Sequence, residues 1–181
     1  VARRAVGPSV RDLMIGSEGA FGIITEVTLR IWKKPEVERG VVLAFPSLQA
    51  AWDCARAIMQ AEIRPQIVRL YDRVESDERT KDIALFRAKP ILAILAFCGR
   101  EPLVSVEQAM ALEIAGSFGG EVGPDTPYHH WKQNRYVAYS QIWHDKGYFN
   151  DTIEVTANWS RIPALYDAIA AAARAIHAGV Y

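Results

Sequence analysis

A chain of 181 residues, half of them apolar, is long enough to bury one sizeable core or two small ones. Lysine plus arginine number 21 and so do aspartate plus glutamate, so the net charge is zero and nucleic acid is a poor partner. No apolar run approaches the roughly 20 residues that span a bilayer, and Val1-Ala-Arg-Arg carries positive charge without the apolar stretch of a signal peptide.

The first informative segment is Asp12 to Thr25, in which Gly16, Gly19 and Gly22 recur every third residue. Such glycines permit positive φ and let backbone amides approach an anion or a flavin edge; equally, they can make a tight bend before a strand. The spacing is not G-x-G-x-x-G and no Lys-Ser/Thr pair follows, so neither a Rossmann fingerprint nor a P-loop is present. Gly22 to Trp32 is rich in β-branched residues and alternates from Thr25, which predicts a strand ended by Lys33-Lys34-Pro35.

Gly40 to Phe45 predicts a second strand, and Ser47 an N-cap for a helix with Ala50, Ala51, Cys54, Ala55, Ile58 and Met59 on one face, stopped by Arg64-Pro65. Gln66 to Tyr71 reads as a strand, Arg73 to Lys81 as a short polar helix, and Ile91 to Phe97 as a buried strand. Val104 to Phe118 has helical spacing, with Gly119-Gly120 as its stop. Pro124 to Tyr148 is aromatic and polar without periodicity, and reads as irregular. Thr152 to Ala157 predicts another strand, and Ser160 with Pro163 in the first turn opens the last helix. This order predicts an α+β fold, a ferredoxin-like antiparallel sheet with helices on one face. Cys54 and Cys98 are too few for a disulfide framework and read as buried free thiols of a cytoplasmic protein.

The run Gly7-Pro8-Ser-Val-Arg-Asp12 through Gly22-Ile-Ile-Thr-Glu-Val-Thr-Leu-Arg30 resembles the closing segment of the FAD-binding domain in FAD-linked oxidases of the vanillyl-alcohol-oxidase superfamily. Pro65, Arg69-Leu-Tyr-Asp72 and Asp151 to Trp159 look most like its alkyldihydroxyacetonephosphate synthase branch, with bacterial glycolate oxidase and D-lactate dehydrogenase subunits more distant. The resemblance implies FAD as cofactor, contacted mainly through the backbone of Glu18, Gly19, Ala20, Phe21, Gly22, Ile23 and Ile24. Ala20-Phe21 stands where Thr-Leu is more usual, a change that leaves backbone contacts available. It further implies that residues 1–35 end an FAD-binding domain and 36–181 form a truncated substrate cap, the chain being a C-terminal piece whose catalytic residues lie elsewhere.

Arg69 is a candidate substrate-binding residue, with an ion pair to Asp72 or Glu75 as the alternative. The irregular segment carries Trp131, Asn134, Arg135, Tyr136 and Tyr139, able to stack on a substrate and fix an anion. Where the synthase branch places a substrate arginine this chain has Ser140-Gln141, so Arg135, one helical turn earlier, is the second candidate. His129-His130 precede the Asp151 to Trp159 segment, whereas the family's catalytic histidines follow it; they read as solvated loop side chains, and no metal site is expected. The function these features imply is flavin-dependent oxidation of a small hydroxy compound. The alternatives are a synthase-like transferase using FAD and a cofactor-free ferredoxin-like binding domain. Homo-oligomerisation through the apolar side chains of Ile15, Ile23, Val27 and Leu29 is a further expectation.

Overall fold

The computed structural model describes residues 7–136, 139–147 and 152–176. Two compact units divide the chain, Val1–Lys34 and Pro35–Tyr181.

In the first unit one short helix forms, α1 (Val10–Met14), capped by Ser9, whose hydroxyl accepts from the Asp12 amide at 3.3 Å. The expected strand over 22–32 is absent: none of these residues joins a ladder among the described residues. β-branched alternation supplies propensity, but a strand exists only where a neighbour takes its amides and carbonyls. Ile23, Val27, Leu29 and Ile31 stay more than half exposed.

The second unit is built on a four-stranded antiparallel sheet in the order β2-β3-β1-β4. Its strands are β1 (Val37–Phe45), β2 (Ile67–Leu70), β3 (Ile91–Gly99) and β4 (Glu121–Val122). β1 and β3 run antiparallel with Val41 opposite Leu95 and Phe45 opposite Ile91. β2 lies on the far side of β3, and β4 beside β1. With α2 (Leu48–Gln60) after β1 and α5 (Glu101–Ser117) after β3, the path is βαββαβ, the ferredoxin-like order.

Local signals fix these elements. The Ser47 hydroxyl accepts from the Ala50 amide at 3.2 Å and opens α2, which buries Ala51, Cys54, Ala55 and Ile58. α2 ends before Arg64-Pro65, because Glu62 already turns left-handed at φ 60. α5 closes on Gly119 at φ 74, with the Gly120 amide donating to Ala115 O at 2.8 Å and the Gly119 amide to Gly116 O at 3.0 Å, the paired bonds of a Schellman ending.

Helices were expected on one face only, but both are covered. Alternation sends Val41, Leu43, Phe45, Ala93, Leu95 and Phe97 to the side of α2 and α5. Val42, Ala44, Leu92, Ile94 and Ala96 face the other way, where Tyr71, Phe86 and Tyr128 pack over them. The second layer comes from α3 (Arg73–Thr80), α4 (Leu85–Ala88) and α6 (Thr126–Asn134). Asp72 caps α3 by accepting from the Glu75 amide at 3.0 Å. Ser76, fully buried, donates to Tyr71 O at 3.2 Å and accepts from the Leu92 amide at 2.9 Å, tying α3 to β3.

The stretch expected to be irregular holds two helices, α6 and α7 (Tyr139–Asp145). Pro127 in the first turn of α6 fits a helix start, and Tyr128 and Trp131, three apart, turn inward to the second layer. The strand expected over 152–157 does not form: residues 152–158 pair with nothing in the sheet, and Ile153 and Val155 are exposed. A short 3-10 turn (Trp159–Arg161) leads into α8 (Ile162–Ile176), which starts two residues after Ser160.

Cys54 is buried and Cys98 half-buried. Burial pushes the Cys54 thiol up to about 11, keeping it neutral and unreactive. Among the described residues, no helix is long and apolar enough to cross a membrane.

Candidate functional site

Strand alternation separates the side chains of β2. Val68 and Leu70 pack against the core shared with α2 and α5, while Arg69 and Tyr71 turn to the opposite face. There they meet α6, which carries Trp131 and is capped at its C-terminus by Arg135, four residues on and still in helical conformation, so that the two share a face. Between these elements lies a cavity of about 510 Å³, walled by Arg69, Tyr71, Arg79, Trp131, Asn134 and Arg135.

Its geometry is set by guanidinium groups on aromatic rings. Arg69 donates from Nε to the Tyr71 hydroxyl at 2.9 Å, and its guanidinium lies 5.5 Å from the Trp131 ring centre. The Arg135 guanidinium is 5.7 Å from the same ring and 4.8 Å from that of Tyr136. These contacts orient the cations over apolar surface while leaving N–H groups for a ligand. Asn134 donates to His130 O at 2.7 Å, which fixes its amide at the cavity wall.

Neither carboxylate expected as an alternative partner reaches Arg69. Asp72 caps α3 and accepts from the Tyr166 hydroxyl at 2.8 Å; Glu75 takes both Nε (3.0 Å) and a terminal nitrogen (2.7 Å) of Arg79. Among the described residues, Arg69 and Arg135 form no ion pair. The structure thus brings Arg69, Trp131, Asn134, Arg135 and Tyr136 to one cavity; the Tyr139 side chain lies outside the described residues. Sequence reasoning missed Arg79, which the four-residue spacing from Glu75 disguises as a surface ion pair, and Tyr71, which sits inside the Arg69 to Asp72 motif.

The histidines are on α6 and not in a loop. His129 meets Asp125 at 3.1 Å, while His130 lines the cavity. Among the described residues, no group of three or more His, Cys, Asp or Glu side chains is placed to hold a metal.

A buried-side clamp holds α6 on the sheet. Glu38 on β1 accepts from Tyr128 Oη at 2.8 Å and from Lys132 Nζ at 2.9 Å. The Lys132 ammonium holds the Glu38 carboxyl below its ordinary value of 4.5, against the upward push of burial. A carboxylate depressed in the fold contributes stability that is complete above its unfolded pKa and is lost as pH falls through the folded one. Acidification below about pH 4.5 is therefore expected to loosen α6, read as a change in tryptophan emission that Glu38→Gln abolishes. Retention of that transition in the variant would remove Glu38 as its cause.

On the other side of Arg69 and Tyr71 a second cavity, about 370 Å³, is bounded by Leu48, Trp52, Asp72 and Tyr166. Tyr166 of α8 meets Trp52 edge-on at 5.7 Å. Burial, followed by its bond to Asp72, pushes the Tyr166 hydroxyl up to about 12.

In the first unit, the loop after α1 takes positive φ at Gly16 (83), Glu18 (49), Gly19 (87) and Gly22 (152). A Cβ added at Gly16 or Gly19 would meet nothing within 4 Å, so that side of the loop is open to a ligand; at Gly22 it would meet Met14 Cε at 3.1 Å. The Ala20 amide closes a turn onto Ser17 O at 2.8 Å. An open glycine backbone of this kind fits the edge of a cofactor held by main-chain contacts.

Residues 34–180 match the family described as FAD linked oxidases, C-terminal domain. The chain belongs to that family. The relatives include FAD-linked oxidoreductases and alkyldihydroxyacetonephosphate synthases. YgcU of Escherichia coli, an FAD-linked oxidoreductase, is 28% identical over 177 residues, 93% of this chain and 36% of its own length. A probable mitochondrial D-lactate dehydrogenase of Danio rerio is 29% identical over 90% of this chain and 34% of its own. The alkyldihydroxyacetonephosphate synthase of Trypanosoma brucei brucei is 31% identical over 58% of this chain and 17% of its own. A solved structure of alkyldihydroxyacetonephosphate synthase superposes with a TM-score of 0.73 at 21% identity, over 95% of this chain and 36% of the other, so the fold is shared. The chain spans about a third of the length of YgcU, the dehydrogenase and the superposed structure.

Proposed function

We propose that this chain supplies the substrate cap and one cofactor-contacting loop of an FAD-dependent oxidoreductase acting on a small hydroxy compound. The observation that carries the reading is the pair Arg69 and Arg135, both at the wall of one cavity, both against Trp131, and neither in an ion pair among the described residues. Guanidinium groups so placed suit a carboxylate or phosphate, which they grip through two parallel N–H bonds. Two relatives bear names that accord with this chemistry, since D-lactate is a hydroxy acid and the synthase is named for a phosphate.

In this reading Arg69 and Arg135 bind the substrate, and residues Glu18, Gly19, Ala20, Phe21, Gly22, Ile23 and Ile24 contact FAD through their backbone. FAD, when bound, takes up the two electrons of the oxidation. This chain's own groups hold the anion, stack on its carbon skeleton and exclude water.

The test is flavin content. Gly19→Val and Gly22→Val place a Cβ on backbone at φ 87 and 152, which costs roughly 1 kcal/mol or more and blocks main-chain approach. Introduced into the whole oxidoreductase of which this chain is proposed to be part, these variants are expected to carry much less flavin per protein, by the ratio of visible to ultraviolet absorbance. His129→Ala/His130→Ala is expected to keep it. Full flavin in the glycine variants with loss in the histidine variant would mean that the loop is only a bend.

A further inference from the structure

The Arg69 side chain is fixed by a residue two positions along the chain. Its Nε donates to the Tyr71 hydroxyl at 2.9 Å, and among the described residues no ion pair takes its terminal nitrogens. Tyr71 is a firm anchor: it is 6% exposed, its amide donates to Leu92 O at 3.0 Å, and its carbonyl accepts from the Ser76 hydroxyl at 3.2 Å. The Arg79 guanidinium lies 4.8 Å from the centre of the same ring. Glu75, one helical turn before it, grips that guanidinium through Nε and a terminal nitrogen. A line of contacts thus runs from Glu75 to Arg79, on to the Tyr71 ring, and from the Tyr71 hydroxyl to Arg69.

We propose that Tyr71, braced by the Glu75 and Arg79 pair, is a positioning residue that decides which edge of the Arg69 guanidinium a ligand meets. The inference rests on the reading of Arg69 as a binding residue given under Proposed function. A guanidinium offers an oxygen acid two flat edges, one made of Nε and a terminal nitrogen, the other of the two terminal nitrogens. The Tyr71 hydroxyl occupies Nε and closes the first edge, so the second is left for the ligand. Because the long side chain is ordered beforehand, little rotamer freedom is lost when the ligand arrives. Arg79 steadies Tyr71 by attraction between its cation and the ring. Glu75 neutralises a charge that would otherwise repel Arg69 over that ring. A carboxylate whose side chain is 57% exposed thereby governs an arginine that it never touches.

NMR of the arginine Nε–H groups of the chain, with and without inorganic phosphate as the probe anion, tests this directly. Arg69→Gln identifies the Arg69 signal by its loss. In the wild-type chain that proton is expected to exchange with water about twofold to tenfold more slowly than the Nε–H of exposed Arg56. Tyr71→Phe keeps the ring and removes the acceptor. Exchange should then rise to that of Arg56, and the Kd for phosphate should rise about twofold to tenfold with Arg69 still in place. Glu75→Gln should move both readouts the same way by a smaller factor. A role confined to packing would leave both unmoved, and circular dichroism checks the sheet in each variant. Phosphate binding that Arg69→Gln weakens but Tyr71→Phe or Glu75→Gln leaves unchanged would overturn the brace and keep Arg69 as a binding residue. Absence of phosphate binding, or binding indifferent to Arg69→Gln, would remove the reading of Arg69 itself and this proposal with it.

Discussion

Phe97→Ala is expected to destabilise the second unit by about 3–5 kcal/mol, the cost of deleting a large buried ring and leaving a cavity behind. Phe97 is fully buried, on the central strand β3, in the core shared with α2 and α5. Its neighbours come from both strands and helices, so the space cannot close without moving an element. Chemical denaturation should show a lower midpoint with an unchanged slope. A loss below about 1 kcal/mol would mean that the helical layer shifts freely to fill the space.

Gly40→Val is expected to act on the cavity from a distance. A Cβ on Gly40 would overlap the Tyr128 ring, which lies flat over the β1 backbone. Tyr128 is buried and anchored to Glu38 by its hydroxyl, so the ring has no easy retreat. Overpacking of this kind costs about 1–3 kcal/mol, and outward movement of α6 relieves it. Trp131 rides on that helix and Arg135 is its C-cap. Anion binding in the cavity should weaken more than Gly40's own lack of contact with the cavity would suggest, and Tyr128→Ala should restore it in the double variant. Unchanged anion binding in the single variant would show that the ring adapts in place.

The main framework was legible because burial imposes period. The Ser47 cap, the Ala51, Cys54, Ala55 and Ile58 face and the uninterrupted apolar run of β3 each specify an element and its direction. That same run, apolar on both faces of the strand, already signalled a sheet covered on two sides, which the expectation of one helical layer overlooked. Residues 22–32 and 152–157 were over-read for the opposite reason: β-branched side chains state a preference, and no neighbouring strand among the described residues fulfils it. α6 was missed because only Tyr128 and Trp131 of its turns face inward, too few to show a period in a polar stretch.

The candidate site was legible in its residues and not in its assembly. Arg69, Trp131 and Arg135 stood out by chemistry, but their meeting depends on β2 turning Arg69 away from the main core and on α6 lying over Gly40. Nothing local encodes that second condition except an unexplained glycine in a strand, a sign of close approach. Arg79 was hidden by its partner Glu75, since paired charges on a polar helix normally report solvent.

Ser76 gives the face beneath the cavity a particular dynamic character. The Leu92 amide, on a central strand, is held by a hydroxyl of α3 and not by another strand. Its exchange with solvent deuterium is therefore governed by undocking of that helix, whereas exchange of amides bonded between β1 and β3 requires the sheet itself to open. Because Arg79 belongs to α3 and lines the cavity, the protection of this single amide is a gauge of how firmly one cavity wall is held.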